Sequence, residues 1–285
     1  MPQCAHNGCV RTTRWWQPRR GAGATLDGLW YCAQACLEAV LLERMTGMRM
    51  PSEVVPRLPG VRLGALLRHH RACPPEQIAA ALAAQADSRL RLGAQLRSMG
   101  AVEPHALLRA LADQAGVSYL ATVDPVKVQD SPGGLSIDAI QALRIVPIAA
   151  PDAGGRIRVA FPAPVPRAAL TAFRQQTGWT PEPFLVSDEA WLALLEHYGK
   201  SAFGRGAAGD LSVAFAREHD AAQAVRRLAE VVMAARNATM SDARWGPYVW
   251  VRLRGQGAGF DLLLDNAGAP TEQQEDTWRA VTTSR

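Results

Sequence analysis

RLGALLRHHRACPPEQIAAALAAQ (62–85) is followed, five residues on, by RLGAQLRSMGAVEPHALLRALADQ (91–114). Aligned without gaps, the two 24-residue blocks agree at about half of their positions. The shared residues include the opening Arg, Leu and Gly (62–64 and 91–93), Leu67 with Leu96, Pro75 with Pro104, Leu82 with Leu111, and Gln85 with Gln114. Each block reads as a short helix, a turn, and a second helix entered at Pro, whose fixed φ suits a first helical position. Leu66 and Leu67 answer to Ile78 and Leu82, and Leu96 to Leu107 and Leu111, which is helical spacing with one apolar face. Two packed helical hairpins account for the leucines. They leave the recurrence of Arg, Gly and Gln to be explained. Gly lets a backbone approach closely, Arg offers a fork of donors to phosphate or to guanine, and Gln offers both a donor and an acceptor. A doubled motif suits a ligand that is itself two-fold symmetric.

The chain has 285 residues, enough for two modest domains and a small appendage. Its net charge is only +5 despite a pI of about 9.2, which permits an anionic partner without demanding one. Arg supplies nearly all the positive charge, with Lys only at Lys127 and Lys200. No apolar run reaches the eighteen or so residues that span a bilayer, and MPQCAHNGCVRTTRWW lacks the apolar core of a signal peptide. These features predict a cytoplasmic chain, so the cysteines are reduced thiols or metal ligands rather than disulfides.

Four of the five cysteines, Cys4, Cys9, Cys32 and Cys36, fall in the first 36 residues as two close pairs. The second pair sits in GLWYCAQACLEAVLLERM, where apolar spacing from Cys36 through Leu37, Val40, Leu41 and Met45 predicts a helix. A loop knuckle followed by a pair at a helix start is the layout of a treble-clef-like Zn(II) site, structural because four protein ligands leave no open position. His6 could replace Cys4 or Cys9 or do nothing, and buried free thiols are the plainer reading. Cys73 stands alone and reads as a small core residue.

The doubled RLG…Q pattern, with its five-residue spacer, resembles the N-terminal domain of the type II secretion and type IV pilus assembly ATPases of bacteria (the GspE/MshE type). The resemblance continues through LRIVPIAAPDAGGRIRVAFPAPVPRAALTAFRQQTGWTPEPFLVSDEAWLALLEHYG and covers residues 59–199. It implies a strand at Val146-Pro147, then a strand, a helix, a Gly turn, a strand and a last helix. It also implies cyclic di-GMP as ligand, held by Arg62, Leu63, Gly64 and Gln85 from the first motif and by Arg91, Leu92, Gly93, Gly100 and Gln114 from the second. Leu82 and Leu111 would form an apolar floor. Three positions depart from the family pattern. Arg71 stands where the second repeat has Gly100, Ala94 replaces a residue that can be acidic, and Ala163-Pro164 replaces an Asp-Pro. Lost carboxylate contacts to guanine cost a few kcal/mol at most.

The motor of those ATPases needs G-x4-G-K-[ST]. Gly199, Lys200 and Ser201 are the one candidate, but Leu194 occupies the first Gly position and a helix precedes it. Gly199 is expected to end that helix. No nucleophile triad is legible, and His69 and His70 read as a solvated turn, so no enzyme is expected.

The expected fold class is α+β. A zinc-finger-like module (1–50) precedes the GspE/MshE-type domain (59–199), a helical-hairpin repeat (62–85 and 91–114) plus a small α/β subdomain. A Gly-rich linker (200–212) leads to a small αβ unit (213–265) and a polar tail (266–285) read as disordered. HDAAQAVRRLAEVVMAARNATM reads as an amphipathic helix, and YVWVRLRG (248–255) and GFDLLLD (259–265) as a strand pair. The unit weakly resembles the start of the second N-terminal domain of the same ATPases, through Ser241-Asp242 and Val251-Arg252. The function this implies is a regulator or adaptor that binds cyclic di-GMP and contacts protein partners of secretion or pilus machinery. One alternative is a protein-interaction scaffold with a degenerate nucleotide site. Another is a nucleic-acid binder through Arg11, Arg14, Trp15, Trp16, Arg19 and Arg20, where Arg alternates with aromatics. A Trp pair beside a zinc site is more often the finger's own small core.

Overall fold

Asp27-Gly28 sits at the tightest turn of the chain's first hairpin, with φ of 51° and 79°. Two successive residues at positive φ make the turn whose twist matches antiparallel strands, and they join β1 (Ala24–Leu26) to β2 (Leu29–Tyr31). Helix α1 (Gln34–Gly47) follows and buries Leu37, Leu41 and Met45 at four-residue intervals. The computed structural model describes residues 3–9, 23–47, 60–125, 135, 137–204, 213–245, 248–255 and 258–265. The basic aromatic segment 11–20, residues 205–212 and the tail 266–285 lie outside the described residues.

The first 24-residue block forms α2 (Leu63–His69) and α3 (Pro75–Ser88), and the second forms α4 (Leu92–Ser98) and α5 (Pro104–Ala115). Pro75 and Pro104 open their helices, as the spacing predicts. Leu67 and Leu96 are both fully buried in one core shared by the two hairpins, with Ile78, Ala81, Val102, Leu107 and Ala110. The hairpins interleave, α3 packing on α4 and α2 on α5.

The next segment supplies β3 (Ser118–Tyr119), α6 (Ile137–Leu143), β4 (Val146–Pro147), β5 (Arg156–Phe161), α7 (Arg167–Thr177), β6 (Thr180–Leu185) and α8 (Asp188–Gly204). Gly178, at φ 78°, makes the turn between α7 and β6. The strands form a sheet in the order β3-β6-β5-β4, with β5 and β6 parallel and β4 antiparallel to β5. Leu108 and Ala112 of α5 share a core with Phe161 and Leu185, which seats the repeats on this sheet. Helix α8 runs through Gly199 and on to Gly204. The helix therefore does not end at Gly199, and residues 200–204 extend it where the sequence predicts a linker. One Gly inside a helix costs only about 1 kcal/mol.

The last segment forms β7 (Val213–Glu218), α9 (Ala221–Ala235), β8 (Asn237–Trp245), β9 (Tyr248–Gly255) and β10 (Ala258–Asp265). The amphipathic helix is shorter than its sequence pattern. Arg236 takes a left-handed conformation at φ 62° and turns the chain, so that the expected last helical turn begins β8.

These strands join the first hairpin in one six-stranded sheet, β2-β1-β8-β9-β10-β7. Strand β1 lies parallel to β8, with Thr25 opposite Asn237 and Leu26 opposite Ala238. The segments expected as an N-terminal module and as a C-terminal αβ unit thus share a sheet. Helices α1 and α9 cover one face, burying Leu228 and Val232 against Met240, Val251 and Leu262. Helix α7 packs on the other face at β8. There the buried Gln176 donates to the Trp250 carbonyl at 2.9 Å and accepts from the Ser241 hydroxyl at 2.6 Å. Arg252 and Asp261 form a bidentate pair on that face at 2.7 and 2.8 Å, both nearly inaccessible. Among the described residues no helix is long and apolar enough to cross a membrane.

Candidate functional site

Two features concentrate chemistry. The first lies at the β2 edge of the large sheet. The knuckle bearing Cys4 and Cys9 is held there by a hydrogen bond from Ala5 N–H to the Trp30 carbonyl at 2.9 Å, while Cys32 precedes α1 and Cys36 lies in its first turn. The four Sγ atoms all lie within 4.8 Å of one another, with Cys9 to Cys32 at 3.5 Å and Cys32 to Cys36 at 3.8 Å. Tetrahedral Zn(II) bonds to sulfur of about 2.3 Å place sulfurs roughly 3.8 Å apart, so the spacing fits a four-thiolate metal centre. It exceeds the roughly 2.05 Å of a disulfide, and all four cysteines are free. His6 is not among the clustered donors.

The cluster's electrostatics suit a cation. Burial alone raises the Cys4 thiol, but hydrogen bonds from the Cys32 and His6 backbone and from the Cys9 and Cys32 thiols outweigh it and lower Cys4 to about 7. Burial, then the neighbouring thiols, push Cys36 up to about 12. Burial also raises Cys32, with Cys9 adding to it. One thiolate therefore forms readily and resists the next, a repulsion that a divalent cation relieves.

The second feature is the pair of RLG motifs. Arg62 and Arg91 occupy the N-cap positions of α2 and α4 with matching extended backbones, at φ −68° and ψ 136° against φ −67° and ψ 149°. Both are exposed, and among the described residues neither has an ion-pair partner. The Leu and Gly of the two motifs pack reciprocally. A Cβ on Gly64 would stand 3.6 Å from Leu92 Cδ2 and 3.2 Å from Ile78 Cγ2, and one on Gly93 would stand 3.5 Å from Leu63 Cδ2 and 3.3 Å from Leu107 Cδ1. The two RLG turns therefore meet about a pseudo-two-fold axis, and both glycines are explained by close helix packing.

The closing glutamines are crossed in the same way. Gln85 Nε2 donates to the Leu90 carbonyl at 2.5 Å, and Gln114 Nε2 to the Val61 carbonyl at 2.8 Å. Each glutamine holds the peptide that precedes the arginine of the other repeat.

About half of the chain is similar to solved structures of MshE and of the XpsE N-terminal domain. The structure of MshE with cdg is 26% identical and covers 48% of this chain and 99% of that one, with a TM-score of 0.39. The XpsE N-terminal domain is 21% identical over 48% of this chain and 93% of that one, with a TM-score of 0.35. A second crystal form of the XpsE domain is 23% identical over 47% and 91%, with a TM-score of 0.28. No family model and no curated protein matches the chain.

The two repeats treat their motif residues unequally. Leu82 is 53% exposed, whereas Leu111 is partly buried and packs into the core. Gly100 and Arg71 occupy equivalent turns after α4 and α2, at φ 63° and 55°. Nothing lies within 4 Å of where a Gly100 Cβ would stand, so its structural role is the turn. Ala163 packs into the core beside α5. Gly199, Lys200 and Ser201 are helical, which excludes a phosphate-cradling loop there. The sequence reading overlooked Val61 and Leu90. They are exposed apolar residues, 57% and 42% accessible, at equivalent positions immediately before the two arginines. The 29-residue offset between the repeats is the signal that pairs them.

Proposed function

We propose that the chain is a non-enzymatic, cytoplasmic regulator or adaptor that binds cyclic di-GMP across its two RLG…Q motifs and contacts protein partners of secretion or pilus machinery. The observation that carries this reading is the reciprocal packing of Gly64 on Leu92 and Gly93 on Leu63, which sets two exposed arginines about one pseudo-two-fold axis. A cyclic dinucleotide has the same symmetry and offers two phosphates and two guanines to two guanidinium forks. The exposed Val61, Leu82 and Leu90 supply apolar surface for its bases. The four-thiol cluster takes Zn(II) as a structural ion, whose charge neutralises thiolates that otherwise repel one another.

Isothermal titration of the whole chain with cyclic di-GMP tests the reading. Binding near 10 µM or tighter is expected, on the order of −7 kcal/mol, and Arg91→Ala should abolish it while leaving the circular dichroism spectrum unchanged. No heat at tens of micromolar, which means binding far weaker than about 10 µM, would leave the scaffold reading in its place.

A further inference from the structure

Residues Val61-Arg62 and Leu90-Arg91 are the points where extended chain turns into helix. Neither helix has a side-chain cap at that point. What fixes each turn from outside is a glutamine of the opposite repeat, through the carbonyl just before the arginine. Pinning that peptide sets the plane from which the arginine side chain departs. We propose that Gln85 and Gln114 are positioning residues, each orienting the arginine of the other motif, rather than groups that touch the ligand. The ligand part of this statement rests on the cyclic di-GMP reading; the crossed bracing does not.

The two braces are chemically alike and topologically different. Gln85 reaches Leu90 across five residues of its own connecting turn, so the Arg91 half is braced locally. Gln114 reaches Val61 across 53 residues and does so only when α5 is docked on α2. A close approach accompanies that docking. His70 Nε2 lies 2.7 Å from Asp113 Oδ2 without an aligned hydrogen bond, which brings the end of α2 against the residue beside Gln114. The equivalent positions in the other pairing are Met99 and Ala84, which cannot form such a contact. The Arg62 half is therefore the conditional one, assembled by tertiary docking and lost first when the hairpins separate.

Amide hydrogen exchange on the full chain without ligand decides the bracing. In Gln114→Ala, exchange should quicken in the first turn of α2 (Leu63–Leu66) and stay unchanged in the first turn of α4. In Gln85→Ala the pattern should reverse, with Leu92–Gln95 affected. Faster exchange in the variant's own repeat, or in neither, overturns the proposal. Titration with cyclic di-GMP then tests positioning. Each variant should weaken binding about 3- to 10-fold, the worth of one hydrogen bond, with little change in Tm. The Gln114→Ala loss should persist in an Arg91→Lys background and shrink in an Arg62→Lys background. Affinity lost with no change in ligand-free exchange would make the glutamines direct contacts and overturn the proposal. If the wild-type chain binds no cyclic di-GMP, the functional reading fails, and the exchange pattern still decides the bracing.

Discussion

Arg71 holds a backbone conformation that its neighbour in the second repeat assigns to glycine. Both residues sit in the left-handed region, at φ 55° and 63°, where a Cβ crowds the following carbonyl and costs about 1–2 kcal/mol. Part of that cost returns in the unfolded state, because glycine is the more flexible residue there. Arg71→Gly is therefore expected to stabilise the chain by about 0.5–1 kcal/mol, seen as a rise in Tm of roughly 2–4 °C by calorimetry. An unchanged or lower Tm would mean that the Arg71 side chain makes compensating contacts. The left-handed turn was readable in the second repeat from Gly100 and hidden in the first, since arginine gives no hint of positive φ. Arg89, Arg144 and Arg236 make the same demand at φ of 55–62°. The closing glutamines show the same limit from another side. Their recurrence is visible in the sequence, but the carbonyls they hold are not, and Val61 lies 53 residues from Gln114.

At the scale of elements, the strongest patterns were legible and the small ones were not. The leucine stripes of α3 and α5 and the paired runs of β9 and β10 needed no tertiary information. Strand β8 did, since Ala238, Ser241 and Ala243 are too small to show an alternating pattern, and no Gly or Pro separates the strand from α9. The first hairpin was short but marked by Asp27-Gly28, a turn signal that the surrounding cysteines obscured. The packing of α7 on β8 was not legible at all, because it depends on Gln176, a polar residue that the fold buries. Gln176→Ala would leave the Trp250 carbonyl and the Ser241 hydroxyl without the partner they now have. Each hydrogen bond so lost is worth about 0.5–1.5 kcal/mol, and urea unfolding should show a loss of about 1–3 kcal/mol. A loss under about 0.5 kcal/mol, the size of an ordinary surface change, would show that water replaces the side chain at no cost.

For the whole molecule, the thiol cluster is built into the large sheet and does not stand as a separate bead. Cys4 and Cys36 pack against the core that α1 and α9 share. Asp27 accepts from the Met240 backbone at 2.7 Å and pairs with Arg44 at 2.7 Å, and Arg44 also reaches Asp242 at 3.6 Å. Loading the cluster with Zn(II) should therefore steady β8 and α9 as well as the first hairpin. Removing the metal with a chelator and a reductant is expected to raise amide exchange in α1, β1, β8 and α9, while the repeats at 62–114 keep their protection. Unchanged exchange in β8 and α9 would confine the metal's effect to its own loop.

The parallel pairing of β1 with β8 also sets a timetable. Asp27 and its partner Met240 are 213 residues apart, which at 5–20 residues per second is roughly 10–40 s of synthesis. Through that interval the first hairpin has no neighbouring strand and α1 has no α9 to cover Leu37 and Leu41. All residues of the repeats and of the four-stranded sheet are synthesised before β1 can meet β8. A metal ion captured early by the four thiols would keep the waiting hairpin in shape until its partner strand leaves the ribosome.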